Sequence, residues 1–552
     1  MKTINKNICF IAIATLISIF TGCNYQGNYA DDIVIYVDKR PGTNNYGYKY
    51  IDPNENLSES FLINNMIYYI NDEIDLKTKT ITIAEDSILL FGDNGKIKNG
   101  KIVFNKTFLD GSVNFSQMRY EGTLINKTCR TSWFGLNKTD AEENSAPVKN
   151  DTILSEIFSC IGPNLIIDGL YPLSSTVTIS TKVTMIAPDW SMSCLKSDYN
   201  YTYTPTKGFY TTSATTTLFS LTNTSSVNAY GIYFKGKKEN YIGKTIPGYV
   251  TSAFALPLVG SLGSLYNCKI EGFGQGIRGV GGFIEKIQNT TFDSCRIGLY
   301  IAWTSDFDVF GCKFINCLPN LEITDSKTTL TEDNLNDLRH AGAAIWACCA
   351  GMVNFANNYY ENNFIDFVAS EADIIINVTD STFKNPTFAN FYFYNNHYRA
   401  ADYFNGLVPS ELHKYAIDNF VITGNKFANS KSNIGKCTAF IYETDVRYMG
   451  DSKTAKQHGD RGLNVIFSGN TFDDSRTSIA SDDAIFFVLN KNDTKGAITC
   501  SNNKFNLSKS NYLVTTDTSS SGKFTFTTND NTWGSTVTEN EIKNNNGTII
   551  FN

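Results

Sequence analysis

The sequence predicts an all-β fold, a right-handed parallel β-helix with a short N-terminal capping helix, from three observations. The chain has 552 residues, more than one compact hydrophobic core usually holds, which favours several domains or one elongated repeat. It is 42% hydrophobic and 13% aromatic, yet Asn, Thr, Ser and Gly are abundant and Pro numbers only 12. A short Asn-centred phrase also recurs from the middle of the chain to its end. Many short strands joined by tight polar turns satisfy all three.

The recurring phrase consists of an apolar strand, an Asn, one or two residues, and then an aromatic or aliphatic residue. Successive copies are 22, 22, 46, 23, 16, 29, 45, 33 and 28 residues apart, so most gaps equal one coil and the two largest fit a coil with an inserted loop. Asn tolerates the left-handed backbone of a sharp corner, and Asn side chains stacked in successive coils can hydrogen-bond along the stack. The copies, including looser ones, start at Asn267, Asn289, Gly311, Asn357, Asp380, Asn396, Asn425, Asn470, Asn503 and Asn531.

The N-terminus predicts export. Lys2 and Lys6 precede an apolar run over residues 8–20, a layout typical of a secretory signal and short for a membrane span. The Thr-Gly pair directly before Cys23 resembles the lipobox of bacterial lipoproteins, which implies a lipid anchor on Cys23. Asn24 follows in place of the aspartate that retains some lipoproteins at the inner membrane. We therefore expect an outer-membrane lipoprotein on the cell-surface or periplasmic face.

The domain boundaries follow from these features. We expect a signal peptide, a tether rich in Asn, Tyr and Gly, a β-rich N-terminal segment and then the β-helix. The predicted ranges are 1–22, 23–60, 61–135 and 136–552.

Charge and cysteine usage restrict the partners. The net charge is −7 with no long like-charge run, which argues against nucleic acid. With four His and no Cys/His cluster at zinc-ligand spacing, we expect no metal centre and no cofactor, although the abundant oxygen ligands are compatible with calcium. Among the thirteen Cys, we expect Cys268, Cys295 and Cys312 to stack as small buried thiols rather than as disulfides. The oligomeric state is not predicted.

A family resemblance enters between about residues 80 and 190. Trp133-Phe134-Gly135 is followed by Asn150-Asp151-Thr152, a short amphipathic helix whose cap we expect to be Asn150 or Asp151, and the strand-rich stretch LIIDGLYPLSSTVTI. This order resembles the start of the pectate-lyase-like β-helix family, which includes polysaccharide-degrading enzymes and phage tailspikes. The resemblance implies a parallel β-helix and a polysaccharide partner. It assigns no catalytic residue, because the family's Gly-Asp-Gly stretch, the polygalacturonase signatures and the Arg-x-Pro-x-x-Arg pattern are absent.

A groove for a sugar chain is expected on the sheet whose strands precede the apolar strand of each Asn phrase. Strand alternation gives the side-chain directions, with rungs about 4.8 Å apart. We expect an inward set of Ile277, Ile297, Leu299, Ile345, Ala347, Ile365 and Phe367, and an outward set of Arg278, Tyr300, Trp346 and Asp366, joined by Glu322 if residues 321–323 belong to the same sheet.

The outward set supports several functions. Glu322 and Asp366, about two rungs or roughly 9.6 Å apart, are the candidate carboxylates of a glycoside hydrolase. For a polysaccharide lyase, Arg278 would neutralise a uronate carboxylate and Tyr300 would act as the base. Tyr300, Trp346 and His340 are the expected substrate-binding residues. A non-catalytic glycan-binding or adhesin-like protein, or an inert solvent-exposed wall, remains the alternative.

Overall fold

The computed structural model describes most of the chain from Tyr46 onward, with gaps. The described ranges are 46–138, 148–162, 164–213, 216–237, 251–256, 261–281, 283–302, 307–318, 342–348, 352–370, 375–395, 417–430, 437–444, 462–475, 484–490, 496–507, 512–516, 524–534, 542–543 and 549–551.

The predicted right-handed parallel β-helix is confirmed. Each coil runs through one strand of each of three sheets in turn, and the first complete coil contains Asn164–Ile166 of sheet 3, Leu170–Leu173 of sheet 1 and Val177–Ile179 of sheet 2. Within each sheet, neighbouring strands pair in parallel. Polar turn residues at the corners and apolar residues inside produce this winding, since each short strand sends part of its side chains to a shared core.

The strand bounds of the three sheets follow for the described residues. Sheet 1 contains Leu170–Leu173, Gly208–Thr211, Tyr233–Lys235, Lys269–Glu271, Thr291–Asp293, Lys313–Ile315, Tyr359–Glu361, Thr382–Lys384, Lys426–Asn429, Thr471–Asp474, Lys504–Leu507 and Thr532–Trp533. Sheet 2 contains Val177–Ile179, Phe219–Leu221, Phe254–Leu256, Gln275–Val280, Ile297–Ala302, Ala343–Cys348, Ile365–Ser370, Ala389–Asn395, Cys437–Thr444, Ala484–Asn490, Tyr512–Thr516 and Ile542–Lys543. Sheet 3 contains Thr128–Arg130, Asn164–Ile166, Lys182–Ile186, Ser226–Tyr230, Ser261–Tyr266, Phe283–Gln288, Phe307–Phe310, Val353–Ala356, Ile375–Thr379, Ile417–Thr423, Gly462–Ser468, Gly496–Ser501, Phe524–Asn529 and Ile549–Phe551.

The N-terminal part begins earlier than predicted. Residues 47–60, which the predicted tether of 23–60 includes, contain the strand Gly47–Tyr50, paired in parallel with the strand Met66–Ile70, and the short helix Leu57–Ser60. The buried side chain of Ile51 fixes this segment to the core, which a solvated tether would not do. The other strands of this N-terminal sheet are Glu73–Asp75, Thr80–Thr82, Ile88–Phe91, Lys96–Gly111 and Phe115–Leu124. The predicted signal peptide and Cys23 lie outside the described residues.

A stack of aromatic rings runs along the inside of sheet 1. The ring that follows each Asn phrase fills the core, as the sequence predicts, and neighbouring ring centroids are 4.4 to 5.2 Å apart. Offset and stacked rings at this spacing add to the free energy gained by burying them. The stack consists of Phe292, Phe314, Tyr360, Phe383, Phe427, Phe472, Phe505 and Trp533.

The corner between sheets 3 and 1 has the predicted Asn ladder, with one refinement. Buried Asn425, Asn470, Asn503 and the partly buried Asn531 are joined by side-chain hydrogen bonds of 3.0 to 3.1 Å. The left-handed residue in these coils is the one before each Asn. The left-handed residues of successive described coils are Gly231, Asn267, Asn289, Gly311, Asn357, Asp380, Gly424, Gly469, Asn502 and Asp530.

Cysteines occupy equivalent positions in earlier coils. Cys268 and Cys312 lie one residue after the left-handed corner, while Cys295 lies at the next corner, between sheets 1 and 2. All three are free and buried, as expected. Burial raises the pKa of each thiol to about 12, so they are uncharged at neutral pH.

The predicted helix spans Asn150–Cys160 and packs against strands Phe115–Leu124 and Val177–Ile179. The expected cap is wrong, because Lys149 holds the cap position and makes no side-chain capping bond. Asn150 instead ties the helix to its neighbours, since its amide donates to the carbonyl oxygens of Asn137 at 2.7 Å and Pro172 at 3.0 Å. In the part of the chain that the structure describes, no helix is both long and apolar enough to span a membrane. Short 3-10 turns lie at Thr131–Phe134 and Met192–Cys194.

Candidate functional site

Three of the four predicted groove residues lie in one column on the outer face of sheet 2. Arg278 pairs in register with Tyr300, and Tyr300 with Trp346, on adjacent rungs. The rings of Tyr300 and Trp346 are edge to face, with centroids 5.9 Å apart. Adjacent strands are about 4.8 Å apart, so the guanidinium, the phenol and the indole can contact consecutive parts of one extended ligand.

The accessible part of this column is limited. Arg278 and Tyr300 are half-buried, while Trp346 is 7% exposed. The register continues from Trp346 to Val368 and then Tyr392, which are buried although they belong to the opposite face from the core side chains Phe367 and Phe391. The exposed surface of the column therefore ends at about Trp346.

The outward direction expected for Asp366 is wrong. Asp366 is fully buried, and Val368 is the neighbour of Trp346 in register. The cause is a break in the alternation near the start of the sheet 2 strands, where two consecutive residues face the interior, as Ala344 and Ile345 do. Gly298 is in register with Asp366, two rungs earlier. A Cβ at Gly298 would lie 3.0 Å from the core ring of Phe314, and the next residue, Leu299, is also in the core.

This break in alternation also means that only part of the expected inward set lies in the hydrophobic core. Its members with side chains in the hydrophobic core are Ile277, Leu299, Ile345, Ala347 and Phe367. Ile297 and Ile365 are buried but lie outside that core, because they precede the break in alternation.

Asp366 is held by two amides. Its Oδ1 accepts a hydrogen bond from Asn363 Nδ2 and its Oδ2 one from Asn390 Nδ2, both at 2.8 Å. Burial raises the pKa of Asp366 from 3.8 to about 7, and the two amide donors only partly oppose this effect. Among the described residues, the buried Oδ1 of Asn390 has no hydrogen-bond partner, so a protonated Asp366 can donate to it after rotation of that amide.

The stability of the protein should therefore depend on pH through Asp366. Because the pKa is higher in the folded state, the contribution of Asp366 to the free energy of unfolding is full below about pH 4 and is lost as the pH rises through about 7, by roughly 4 kcal/mol. The nearby Cys317 and Tyr360 stay uncharged over this range, since burial raises the pKa of both well above the ordinary value. Asp366→Asn should flatten this dependence.

Denaturant unfolding at pH 4, 5.5 and 7.5 measures the effect. Asp308→Asn is the matched control, because Asp308 is an exposed residue on the outer face of sheet 3. An Asp366→Asn variant that keeps the pH slope of the parent, or an Asp308→Asn variant that loses it, would contradict the assignment.

The remaining candidate residues, Glu322 and His340, lie outside the described residues. In the described parts of the chain, no group of three or more His, Cys, Asp and Glu side chains could hold a metal ion. The column on sheet 2 therefore presents a cation beside a phenol and an indole. The hydrolase hypothesis needs Glu322 and Asp366 in the groove, but Asp366 is buried inside the helix.

A charged row on the outer face of sheet 1 was not predicted. Glu271 and Asp293 lie in register on adjacent rungs, and Lys269 Nζ lies 2.5 Å from Glu271 Oε2 and 3.7 Å from Asp293 Oδ2. The phenol of Tyr233 also donates to Glu271 at 2.8 Å, and these partners lower the pKa of Glu271 against the opposing effect of burial. The alternation Lys-Ile-Glu in residues 269–271 is the local signal for this surface.

Comparison with known proteins gives structural likeness without any sequence match. No protein-family model matches the chain, and no curated protein matches it. The chain is similar to the crystal structure of DFA-IIIase from Arthrobacter chlorophenolicus A6 without its lid, with 10% sequence identity and a TM-score of 0.32 over 75% of this chain and 100% of that one. A likeness at this TM-score supports no statement about activity. The resemblance to the pectate-lyase-like family stays a prediction, and the parallel β-helix itself is established by the strand pairing.

Proposed function

We propose that this protein is an exported lipoprotein that acts on an acidic polysaccharide, and that it cleaves the chain by β-elimination at the column on sheet 2. The observation that carries the proposal is the in-register placement of Arg278 and Tyr300 on adjacent rungs, with Trp346 on the next. A cation, a phenol and an indole in this order match the carboxylate, the acidic proton and the apolar ring face of a uronate chain.

The chemistry assigns a role to each side chain. Arg278 binds the uronate carboxylate and so makes the proton at the neighbouring C5 more acidic. Tyr300, as phenolate, takes this proton. The C4–O bond then breaks, a C4=C5 double bond forms, and the departing oxygen takes a proton from water. Trp346 contacts a neighbouring sugar through the small part of its indole that is exposed.

The lyase reading is preferred over the hydrolase reading because of Asp366. A hydrolase of this kind needs two carboxylates that flank the scissile bond about 5 to 9.5 Å apart. Asp366 is buried inside the helix with both oxygens bonded to amides. A glycan-binding or adhesin-like role is the second candidate, favoured by the half-buried Arg278 and Tyr300 beside Trp346, because holding a sugar chain there needs no reacting group.

A polysaccharide panel tests the proposal. The protein is mixed with uronate and neutral polysaccharides, and reducing ends and the ultraviolet absorbance of unsaturated uronate products are both followed. A rise in both on a uronate polymer supports the lyase. A rise in reducing ends alone would favour a hydrolase, binding without any product would favour the glycan-binding role, and neither product nor binding would overturn the proposal.

The lipid anchor has its own test. Export in a bacterial host with labelled palmitate should place the parent chain in the membrane fraction and label it, because acylation at Cys23 supplies the anchor. Cys23→Ala should lose both the label and the membrane association. Cys9→Ala is the matched control and should keep both, since Cys9 lies in the segment expected to be removed. Labelled Cys23→Ala would contradict the proposal.

A further inference from the structure

A segment that we name the strap, residues 189–207, lies across the corner between sheets 3 and 1. Its Trp190 Nε1 donates to Asn267 Oδ1 at 3.2 Å, and the amide of Asn289 donates to the carbonyl oxygen of Lys196 at 3.4 Å. The tip of the strap reaches sheet 1 at Tyr199, whose hydroxyl lies 3.2 Å from Thr382 Oγ1. The strap thus spans several rungs through contacts between distant parts of the sequence.

Lys313 lies on the outer face of sheet 1 beneath the strap. It is half-buried, between Thr291 and Tyr359 in the register of the sheet. Its Nζ lies 4.5 Å from the centroid of the Tyr201 ring. Tyr201 is held in place by its hydroxyl, which pairs with Thr291 Oγ1, and Tyr199 lies against Tyr359 with centroids 5.0 Å apart.

Lys313 differs from neighbouring lysines in its partners. On the same sheet, Lys269 pairs with Glu271, Lys384 with Glu361 and Lys426 with Asp473. Within the described ranges, Lys313 has no carboxylate within 4 Å and none of its three N–H donors makes a hydrogen bond, so only the Tyr201 ring faces its charge. Burial also lowers the pKa of Lys313, which indicates a charge that has lost water without gaining an acceptor.

We infer that Lys313 and the strap tyrosines form a second saccharide site, specific for a sugar that carries a negative group. The ammonium supplies three donors to the anionic group, and the rings of Tyr199 and Tyr359 supply apolar faces for the sugar ring. A ring-shaped acidic ligand fits better than a bare anion, because the rings of Tyr201, Tyr199 and Tyr359 lie close to Lys313 and would add nothing to the recognition of a simple ion. This site lies on a different sheet from the Arg278 column, so it does not depend on the activity proposed there.

The test is calorimetric titration with a short oligogalacturonate. Lys313→Met keeps the packing over Tyr201 but removes the charge, and we expect it to weaken binding at this site by about 10- to 100-fold, since a charge-assisted hydrogen bond is lost. Lys504→Met is the matched control, because Lys504 is an exposed lysine in the same column of the sheet and should leave binding unchanged. Each titration is made in the Arg278→Met background, which removes the first site.

Further measurements distinguish the ligand classes. Tyr201→Phe should keep affinity, because the ring over Lys313 remains, and thermal unfolding should confirm that Lys313→Met is folded. The neutral methyl ester of the same oligosaccharide should bind at least about tenfold more weakly. Unchanged affinity of Lys313→Met, an equal loss in Lys504→Met, equal binding of the ester, or equally tight binding of sodium sulfate would each overturn the inference.

Discussion

Replacing Tyr300 by phenylalanine is expected to lower kcat for uronate elimination by about 10²- to 10⁴-fold, the usual contribution of a positioned general base. Affinity for the polymer should change little, because the ring that stacks and contacts Trp346 is retained. The measurement is the initial rate of unsaturated product at saturating substrate, together with the affinity from titration. A fall in affinity with unchanged kcat would assign Tyr300 to binding rather than to proton transfer.

The matched control for this variant is Tyr266→Phe. Tyr266 is a half-buried tyrosine on sheet 3, stacked on Tyr230 with ring centroids 5.1 Å apart, and it lies outside the sheet 2 column. Its variant should retain the parent kcat. An Arg278→Met variant should lose both kcat and affinity, because the carboxylate then has no counter-charge.

Replacing Asn470 by alanine is expected to lower the free energy of unfolding by about 3–5 kcal/mol, since each buried polar group left without a partner costs about 1–3 kcal/mol. Asn470 Nδ2 donates to the carbonyl oxygen of Ile422 and to Asn503 Oδ1, both at 3.0 Å. Its Oδ1 accepts from the backbone N–H of Asn425 at 2.9 Å and from the Asn425 amide at 3.1 Å. The substitution leaves all four partners incomplete at once.

Asn464→Ala is the control for the ladder. Asn464 lies on the strand Gly462–Ser468, which leads to the corner at Asn470, but its side chain is exposed and makes a single 3.5 Å hydrogen bond to Asn419. We therefore expect the free energy of unfolding to change by no more than about 0.5 kcal/mol. Denaturant unfolding of both variants measures the difference. Equal, small effects for the two substitutions would show that the buried ladder contributes little to stability.

The fold could be predicted because its determinants are local and repeated. Each coil repeats an apolar strand, a corner and an aromatic residue, so a single phrase such as Asn503-Lys-Phe505 predicts the corner and the core ring of one coil. The predicted ladder is present, although the residue with left-handed backbone in this coil is Asn502 rather than Asn503. The N-terminal boundary was placed too late, because the polar composition around Gly47–Tyr50 obscures a short strand.

The candidate site could be predicted only in part. Alternation placed Arg278, Tyr300 and Trp346 correctly in one column. It failed at Asp366, because two consecutive residues, Asp366 and Phe367, face the interior near the beginning of the strand. A period of two assumes strict alternation, and the sequence alone has no marker for this break apart from small residues such as Gly298.

By itself, the sequence determined the coil, its corner and its inner aromatic stack, because these depend on neighbours a few residues apart that recur in every turn. Only the tertiary structure decided which carboxylate is buried and which cation is left without an acceptor. Asp366 takes its environment from Asn390 on the next rung, and Lys313 from a strap that precedes it by more than a hundred residues. Such contacts join segments far apart in the chain, and no periodic pattern specifies them.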